Sequence, residues 1–271
     1  MDPVAEYNAL LDAIRRQGAD ARLHMVAFSG GVDSTLVAKA VFDVFPGNSE
    51  AVMALSPSVA DAMRQSAVDL AARIGIPLRF IETHEYLDPD YVANEGMSCY
   101  VCKSSIYDAM EAISASDAAL AAGTLLYNGT NAEDAADPTR VGLRAAREHA
   151  VRSPLARYAK HEIRQLLRHA GLPNWNAAAS PCLRSRLQIG VHATPEHLRR
   201  IEAAEQIVRR VYALDGTVDF RVRHLAGDTA MVEIGAPLLD HIDLTRCSDD
   251  LQALGFRAVD KRAFRSGSVS T

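Results

Sequence analysis

The stretch Ala27-Phe28-Ser29-Gly30-Gly31-Val32-Asp33-Ser34-Thr35 decides the fold of this chain. It follows an apolar run over residues 23–28 and leads into an apolar-periodic run over 36–45, an order typical of a strand, a tight glycine turn and a helix. Such a turn directs several backbone N–H groups at one point above the helix N-terminus, where the partial positive charge favours a phosphate. The two glycines let the backbone approach an anion closely because neither has a Cβ. The turn is therefore predicted to bind a nucleotide phosphate.

Hydroxyl and carboxylate side chains surround this predicted phosphate site. Asp33 is expected to order a magnesium ion or the loop itself, and its alternative role is to cap the helix. A Walker-type loop would carry Gly-Lys followed by Ser or Thr, and Gly-Lys occurs nowhere in the chain. Ser-Gly-Gly-x-Asp-Ser instead resembles the PP-loop of the ATP pyrophosphatase superfamily, which implies ATP binding and cleavage between its α- and β-phosphates; a plain glycine turn with a capped helix is the alternative. The residues that would bind ATP are Ser29, Gly30, Gly31, Asp33, Ser34 and Thr35.

Strand-like and helix-like runs alternate through the first two-thirds of the chain. Buried parallel strands are predicted at 23–28, 51–55, 78–81 and 124–128, with helices at about 33–45, 59–74 and 104–122 between them. This alternation predicts an α/β fold with a doubly wound parallel sheet, whose ligands bind at the carboxyl ends of the strands. Ser56, Gly129 and Thr130 follow such ends and are predicted to line the nucleotide pocket together with the glycine turn.

The last third of the chain has a different pattern. A helix predicted at 160–170 is followed by a long irregular stretch over 171–194, of the kind that is usually functional. A further helix begins with Thr194 as cap and Pro195 at its first position, and strand patterns follow at 218–224 and 230–234, with a helix near 248–254. We expect a PP-loop ATP pyrophosphatase domain over 1–190 and a smaller C-terminal α+β domain over 191–271 for substrate binding or oligomerisation.

Bulk composition narrows the class of protein. The 271 residues are 48% hydrophobic and 23% charged, which is ordinary for a soluble globular protein. The absence of a long apolar run and the acidic start, unlike a signal peptide, predict a cytoplasmic protein without a membrane partner. The net charge of −5 argues against a general nucleic-acid surface. Basic residues cluster locally at 184–186, 199–210 and 221–223, and these clusters could bind a small phosphorylated molecule.

Three of the four cysteines lie in segments that suit reactive or metal-binding thiols. Cys99 and Cys102 form a C-x-x-C pair before a predicted helix, where the helix N-terminus and Lys103 would lower the thiol pKa. Alone, this pair fits a redox pair, a zinc site, an iron–sulfur cluster or two structural cysteines, and zinc is disfavoured because a second C-x-x-C is missing. With Cys182 in the long loop, three thiolates could hold three irons of a cubane cluster and leave the fourth open. Cys247 is predicted to be a small buried residue.

Further motifs along nearly the whole chain make the resemblance more specific. With them the chain resembles the LarE family, the sulfur transferases of nickel-pincer nucleotide biosynthesis. The Cys-Leu-x-Ser-Arg block and the Arg-x-Arg strand are the discriminating parts. The matching segments are residues 29–34, 99–103, 129–134 and 153–155, Lys160, Cys182-Leu183-x-Ser185-Arg186, Gly190, Arg221-Val222-Arg223 and Val232-Glu233.

The resemblance implies a defined reaction. ATP adenylates a carboxylate of pyridinium-3,5-biscarboxylic acid mononucleotide, pyrophosphate leaves, and attack of a sulfur nucleophile gives a thiocarboxylate. Members with only the loop cysteine donate its sulfur and leave dehydroalanine, whereas members with three cysteines use a cluster-bound sulfide. Because this chain has Cys99, Cys102 and Cys182, a 4Fe-4S cluster is expected, and sacrifice of the Cys182 sulfur is the alternative. Homo-oligomers, often hexamers, are also implied.

Charged residues of the last third are the expected substrate contacts. Arg221 and Arg223 alternate on a predicted strand and so share one face, where two guanidiniums suit the substrate phosphate. A solvated strand face is the alternative, and Arg186 has the same two interpretations. The resemblance implies that Glu205 and Asp240 lie in the substrate pocket, although either one taken alone suits a surface charge.

Tyr100, between two cysteines, could either stack on a planar pyridinium ring or fill the core. The chain also departs from the family pattern: Arg140-Val141-Gly142 stands where Arg-Pro-Gly is common, and Glu133 takes the first of two acidic positions.

Three other functions compete with that of the LarE family. A tRNA thiolase would need a broad basic surface, an amidating PP-loop ligase would need ammonia or a glutaminase, and a nucleotide sensor would release no pyrophosphate.

Overall fold

The computed structural model describes residues 2–115, 120 and 123–265. This part of the chain forms two compact units, each assembled from separate segments. The first unit runs to Ser56 and adds Asp61–Glu85 and Cys99–Ala177; the second contains Pro57–Ala60, Tyr86–Ser98 and the chain from Ala178 onward. The functional division into 1–190 and 191–271 stays a prediction.

The helices and strands are numbered in chain order. They are α1 (Pro3–Gly18), β1 (Leu23–Ala27), α2 (Val32–Val44), β2 (Ser49–Leu55), α3 (Asp61–Ile74), β3 (Leu78–Glu82), α4 (Pro89–Ala93), α5 (Ser98–Ser114), β4 (Thr124–Tyr127), α6 (Ala132–Ala136), α7 (Gly142–Glu148), α8 (Lys160–His169), α9 (Pro195–Tyr212), β5 (Phe220–Leu225), β6 (Thr229–Ile234), α10 (Ser248–Ala253) and β7 (Ala258–Ala263). Short 3₁₀ helices are Glu85–Leu87, Pro173–Asn176, Leu183–Arg186, Ala236–His241 and Leu244–Arg246.

The first unit contains a four-stranded parallel sheet in the order β3-β2-β1-β4. Each parallel pair needs a crossover, which α2 and α3 supply between β1, β2 and β3. The chain then places β4 on the other side of β1, so the winding direction reverses between β1 and β4. The predicted doubly wound α/β sheet is confirmed, and this reversal is where such sheets bind their ligands.

One face of the sheet packs against α5 and α7. Met25, Val52 and Leu126 of three strands are buried with Tyr107 and Met110 of α5 and with Ala145 and Ala146 of α7. β1 and β2 are buried nearly throughout, as their apolar runs predict. β3 is different, because it is the terminal strand of the sheet order, and Phe80 is 41% exposed. The prediction that β3 is a buried strand was therefore wrong.

The short helices α4, α6 and α7 were not predicted, and two long helices also differ from the sequence-based expectation. α1 was not predicted, although Asp2 caps it, Pro3 begins it and Tyr7, Leu10 and Ile14 form its buried stripe. The helix expected from 104 begins six residues earlier, at Ser98, so the C-x-x-C pair lies inside its first turn rather than before it. Of the predicted range to 122, residues 116–119 and 121–122 lie outside the described residues.

The second unit contains a mixed sheet in the order β5-β6-β7. β5 and β6 are antiparallel, and β7, which was not predicted, is parallel to β6. Its core contains Val208 of α9, Val222 of β5, Val232 of β6 and Leu251 of α10, together with Cys247. The burial predicted for Cys247 is confirmed. Across the described ranges, each helix is too short or too polar to cross a lipid bilayer.

Candidate active site

A short loop joins β1 to α2 and has the backbone shape predicted for a phosphate-binding turn. Gly30 has a φ of +70°, and Gly31 is the N-cap of the 13-residue helix α2. A Cβ at Gly30 would lie 3.2 Å from the backbone of Ala67, so α3 packs directly against the loop. Both the left-handed φ and this close approach require glycine at position 30.

Hydroxyl groups hold this loop in its compact shape. The Ser29 backbone N–H donates to Ser34 Oγ over 3.2 Å, and the Ser29 and Ser34 hydroxyls lie 3.1 Å apart. Thr35 Oγ1 donates to the Gly31 carbonyl over 2.8 Å. These bonds organise the loop before any anion arrives, which reduces the cost of ordering it on binding.

Asp33 lies in the first turn of α2 with its two carboxylate oxygens in different surroundings. Oδ2 accepts from Lys160 Nζ at 2.5 Å and from Asn131 Nδ2 at 3.4 Å. Oδ1 is buried and has no hydrogen-bond partner within the described part of the chain. The predicted capping role was wrong, because Gly31 occupies the N-cap and α2 has no side-chain cap. A buried carboxylate oxygen without a donor is costly, and it suits a hard cation such as Mg²⁺.

The loop after β4 contacts the first turn of α2. A Cβ at Gly129 would lie 2.8 Å from Ser34 N and 3.0 Å from the carbonyl carbon of Asp33. Asn128 Oδ1 shapes this loop by accepting from the Thr130 N–H at 3.1 Å and from Ser153 Oγ at 2.8 Å. The glycine turn and the Gly129–Thr130 loop are thus adjacent in the first unit, at the reversal of the sheet. Ser56 lies one residue beyond β2 and is half-buried.

Three residues complete this site without having been predicted as site residues. Lys160 is the first residue of α8, and its backbone N–H donates to both carboxylate oxygens of Glu133, at 3.0 and 3.2 Å. Asn174 Nδ2 donates to the Gly30 carbonyl at 3.3 Å and to Thr35 Oγ1 at 3.1 Å. Lys160 and Glu133 lie in matching motif segments, which was their only signal. Nothing in the sequence pattern marks Asn174.

The cysteine pair lies at the start of α5. Cys99 is exposed and Cys102 is half-buried. Three residues apart on a helix, they share one side of its first turn. Cys182, in the second unit, is half-buried at the N-cap of the 3₁₀ helix Leu183–Arg186. Their residue types and exposure fit ligands of an iron–sulfur cluster.

Tyr100 makes contacts that favour the structural interpretation of this residue. Its hydroxyl donates to Glu148 Oε2 at 2.8 Å, and the Arg144 guanidinium lies 3.7 Å from the centre of its ring. Both partners belong to α7, and the ring also packs against the sheet core. A pyridinium ring that stacked on this face of Tyr100 would have to displace Arg144.

Arg186 joins the Cys182 segment to α9. Its Nε donates to Glu205 Oε1 over 3.0 Å, and its Nη1 donates to the carbonyls of Cys182, at 3.1 Å, and of Pro181. Only 4% of Arg186 and 9% of Glu205 are exposed. The surface interpretations of Arg186 and Glu205 were therefore wrong. Asp240, by contrast, is exposed on the 3₁₀ helix Ala236–His241.

Arg223 and Arg221 are both buried on β5, so the interpretation as a solvated strand face was also wrong. Arg223 Nε lies 2.5 Å from Glu233 Oε2, and its Nη1 donates to the Ser185 carbonyl over 2.9 Å.

Arg221 has weaker contacts: its Nη2 is 3.4 Å from the Ala179 carbonyl, and its guanidinium lies 4.7 Å from the Phe264 ring centre. Burial, with the neighbouring Arg186 and Arg223, lowers the pKa of Arg221 to about 10. Arg186 and Arg223 each form a salt bridge with a carboxylate, whereas Arg221 forms none within the described residues.

Comparisons with known proteins decide the family. A Lactiplantibacillus plantarum protein named pyridinium-3,5-bisthiocarboxylic acid mononucleotide synthase is 35% identical over 253 residues, which are 90% of this chain and 88% of that protein. The chain belongs to the LarE family. An uncharacterised Synechocystis protein is 37% identical over 254 residues, 91% of each chain. No family model matches the chain.

Membership of the LarE family confirms the resemblance drawn from the motifs. In this LarE-family chain, the structure brings the glycine turn and the Gly129–Thr130 loop together within the first unit. Within the second unit it brings Arg186, Glu205, Arg221 and Arg223 together, beside the backbone of Cys182 and Ser185. Tyr100 and Asp240 belong to neither of these two groups of contacts in the described residues.

Proposed function

We propose that this protein is an ATP-dependent sulfur transferase of nickel-pincer nucleotide biosynthesis. It adenylates a carboxylate of pyridinium-3,5-biscarboxylic acid mononucleotide, releases pyrophosphate and converts the carboxylate into a thiocarboxylate. The observation that carries the proposal is the relation to the L. plantarum synthase along 90% of the chain. The proposal includes a cytoplasmic location. It also includes a homo-oligomer, whose mass light scattering would measure.

The first unit supplies the nucleotide half of the reaction. The backbone N–H groups at the start of α2 would bind the β- and γ-phosphates, and Gly129 leaves room beside them. Asp33 would hold Mg²⁺ through the buried Oδ1, while Lys160 supports Oδ2. Mg²⁺ bound there would neutralise phosphate charge. Adenylation matters because a carboxylate oxygen leaves poorly, whereas AMP leaves readily.

The second unit supplies the substrate half. Arg221 would bind the phosphate of the mononucleotide, since Arg186 and Arg223 already have carboxylate partners in Glu205 and Glu233. Those two ion pairs would hold Arg221 in place and keep the site positive. Glu205 further accepts from the Val222 N–H at 3.2 Å, which ties α9 to β5 beside Arg221.

Two sulfur sources are consistent with the cysteines of this chain. In the cluster-dependent route, Cys99, Cys102 and Cys182 would be the protein ligands. A 4Fe-4S cluster held there would supply a sulfide as the nucleophile. In the sacrificial route, the Cys182 thiolate attacks the acyl-adenylate carbonyl carbon and AMP leaves with the C–O electron pair. Loss of the Cys182 Cα proton then breaks its Cβ–S bond, which releases the thiocarboxylate and leaves dehydroalanine. We favour the cluster route because the chain has all three cysteines.

The deciding experiment compares anaerobically purified wild-type protein with Cys99→Ser and with the matched control Cys247→Ala, since Cys247 is buried in the second unit. Iron, acid-labile sulfide and thiocarboxylate formed from the mononucleotide and ATP would be measured. About four irons per chain in the wild type and control, lost in Cys99→Ser, support the cluster route. An iron-free active protein whose Cys182 loses the mass of H₂S supports the sacrificial route. Absence of substrate-dependent pyrophosphate release would overturn the function itself.

A further inference from the structure

His197, His224 and Asp228 converge in the second unit. Each offers a potential metal-ligating atom, and these atoms lie within 4.8 Å of one another. They come from three elements: the first turn of α9, strand β5 and the turn between β5 and β6. Proposed sulfur transfer uses none of them.

His197 is oriented as a metal-binding histidine is. Its Nδ1 lies 2.8 Å from the His192 carbonyl oxygen, and because a carbonyl can only accept, Nδ1 carries the proton. The lone pair of the neutral ring is therefore on Nε2. Donation of the other ring N–H to a backbone carbonyl is the usual arrangement that fixes the tautomer and orientation of a metal ligand.

His224 is buried beside it. Its Nε2 lies 3.1 Å from Asp228 Oδ1, and its Nδ1 is buried with no partner within the described residues. The His197 and His224 ring centres are 4.7 Å apart with their planes at 71°, and Phe256 packs edge-on against His224.

Asp228 is held at the turn by two arginines. It has a φ of +56°, and its Oδ1 accepts from Arg200 at 3.1 Å while Arg257 lies 3.6 Å from Oδ2. Arg200 also pairs with Glu196 at 3.2 Å, so their charges offset each other, and the Arg257 side chain is 82% exposed and screened by solvent. The two arginines therefore offset only part of the negative charge of Asp228.

We propose that His197, His224 and Asp228 bind a divalent first-row transition metal ion such as Zn²⁺. Two imidazoles and a carboxylate are a ligand set that such ions accept, with a fourth position for water. Arg200, bonded to the ligating carboxylate, would be its outer-shell partner. The ion would join the start of α9 to the β5–β6 hairpin and so stabilise the second unit.

The test titrates chelator-treated, reduced full-length protein with Co²⁺ and follows the visible absorption spectrum. Since the cysteines can also bind Co²⁺, visible bands without a sulfur-to-cobalt charge-transfer band identify the nitrogen–oxygen site. One variant is His197→Gln, chosen because His197 is half-exposed. The other is Asp228→Asn, chosen because asparagine tolerates the positive φ of position 228. His149→Gln is the matched control, since His149 belongs to a cluster in the first unit with the exposed Asp108 and Glu111.

We expect one Co²⁺ equivalent with this spectrum in the wild type and in His149→Gln. Both site variants should weaken its binding by more than the roughly 10–100-fold that loss of an outer-shell partner costs. Zn²⁺ should also raise the melting temperature of the wild type but not of His197→Gln. Unchanged Co²⁺ binding in both site variants, or an equal loss in His149→Gln, would overturn the proposal.

Discussion

Lys160 and Asp33 are joined by an ion pair of 2.5 Å although they lie 127 positions apart in the chain. The pair connects the first residue of α8 to the first turn of α2. It leaves one oxygen of Asp33 bound to a cation and the other buried without a donor. The carboxylate is therefore held in one orientation, with its second oxygen directed to a different ligand.

Replacement of Lys160 by Met should weaken Mg²⁺-dependent ATP binding and ATP–pyrophosphate exchange by about 10–100-fold, the equivalent of one charge-assisted hydrogen bond. Isothermal titration with Mg-ATP and an exchange assay measure both. Lys39→Met is the matched control, because Lys39 pairs with Asp43 at 2.5 Å on the same helix, away from its N-terminus. Equal losses in the two variants would show that the ion pair only stabilises α2.

Gly129→Ala should damage the nucleotide site through shape alone. The added methyl group would lie 2.8 Å from Ser34 N, so the first turn of α2 or the loop after β4 must move. Displacement of about 1 Å in a catalytic site can cost roughly a hundredfold in rate. We expect a loss of exchange activity of that order. Gly47→Ala, where the added Cβ meets nothing within 4 Å, should retain it.

Arg221→Met should raise KM for the mononucleotide by about 10–100-fold, because the variant removes the buried guanidinium that, among the described residues, has no carboxylate within salt-bridge distance and would bind the phosphate. The midpoint of urea unfolding should change little, since its contacts are one long hydrogen bond and an aromatic ring. Arg246→Met serves as the control. Like Arg221, Arg246 contacts one aromatic ring, that of Tyr212, and one backbone carbonyl, but it is exposed. Unaltered KM in Arg221→Met would remove this residue from the substrate site.

Glu233→Gln should destabilise the second unit strongly. Glu233 is fully buried between Arg223, at 2.5 Å, and Arg262, at 2.7 Å. Removing its charge leaves the buried Arg223 uncompensated, which costs about 3–5 kcal/mol in free energy of unfolding. Asp12→Asn, in an exposed pair with Arg15, should cost less than about 1 kcal/mol. If urea denaturation shows a similarly small loss in free energy of unfolding for both variants, Glu233 is not needed to compensate the charge of Arg223.

His24 should make stability depend on acid pH. It is buried, and burial lowers its pKa from 6.5 to about 4. Between these values the unfolded chain binds a proton that the folded chain does not, so the free energy of unfolding falls as pH drops from 6.5 to 4 and levels off below. The loss from this residue should be about 3 kcal/mol. His24→Phe keeps an aromatic ring against Phe45 and should have a flatter profile across that window.

Local patterns in the sequence determined the elements and the family. Apolar runs of strand length alternating with helical periods specify β1, β2 and β4, and Gly30 marks a turn that requires a positive φ. These signals depend on neighbours in the chain, so they can be recognised without a structure. They also marked β3 as a strand, but not its exposure, since burial depends on the position of a strand in the sheet.

The tertiary structure alone decided which charges are paired. Arg221 and Arg223 have the same alternating pattern whether β5 faces solvent or the interior, and only the fold shows that both are buried and that Glu233 pairs with Arg223. Likewise, the partner of Asp33 lies far away in sequence, at Lys160. Such ion pairs depend on distance and desolvation, which are set when distant segments pack together and leave no local pattern in the chain.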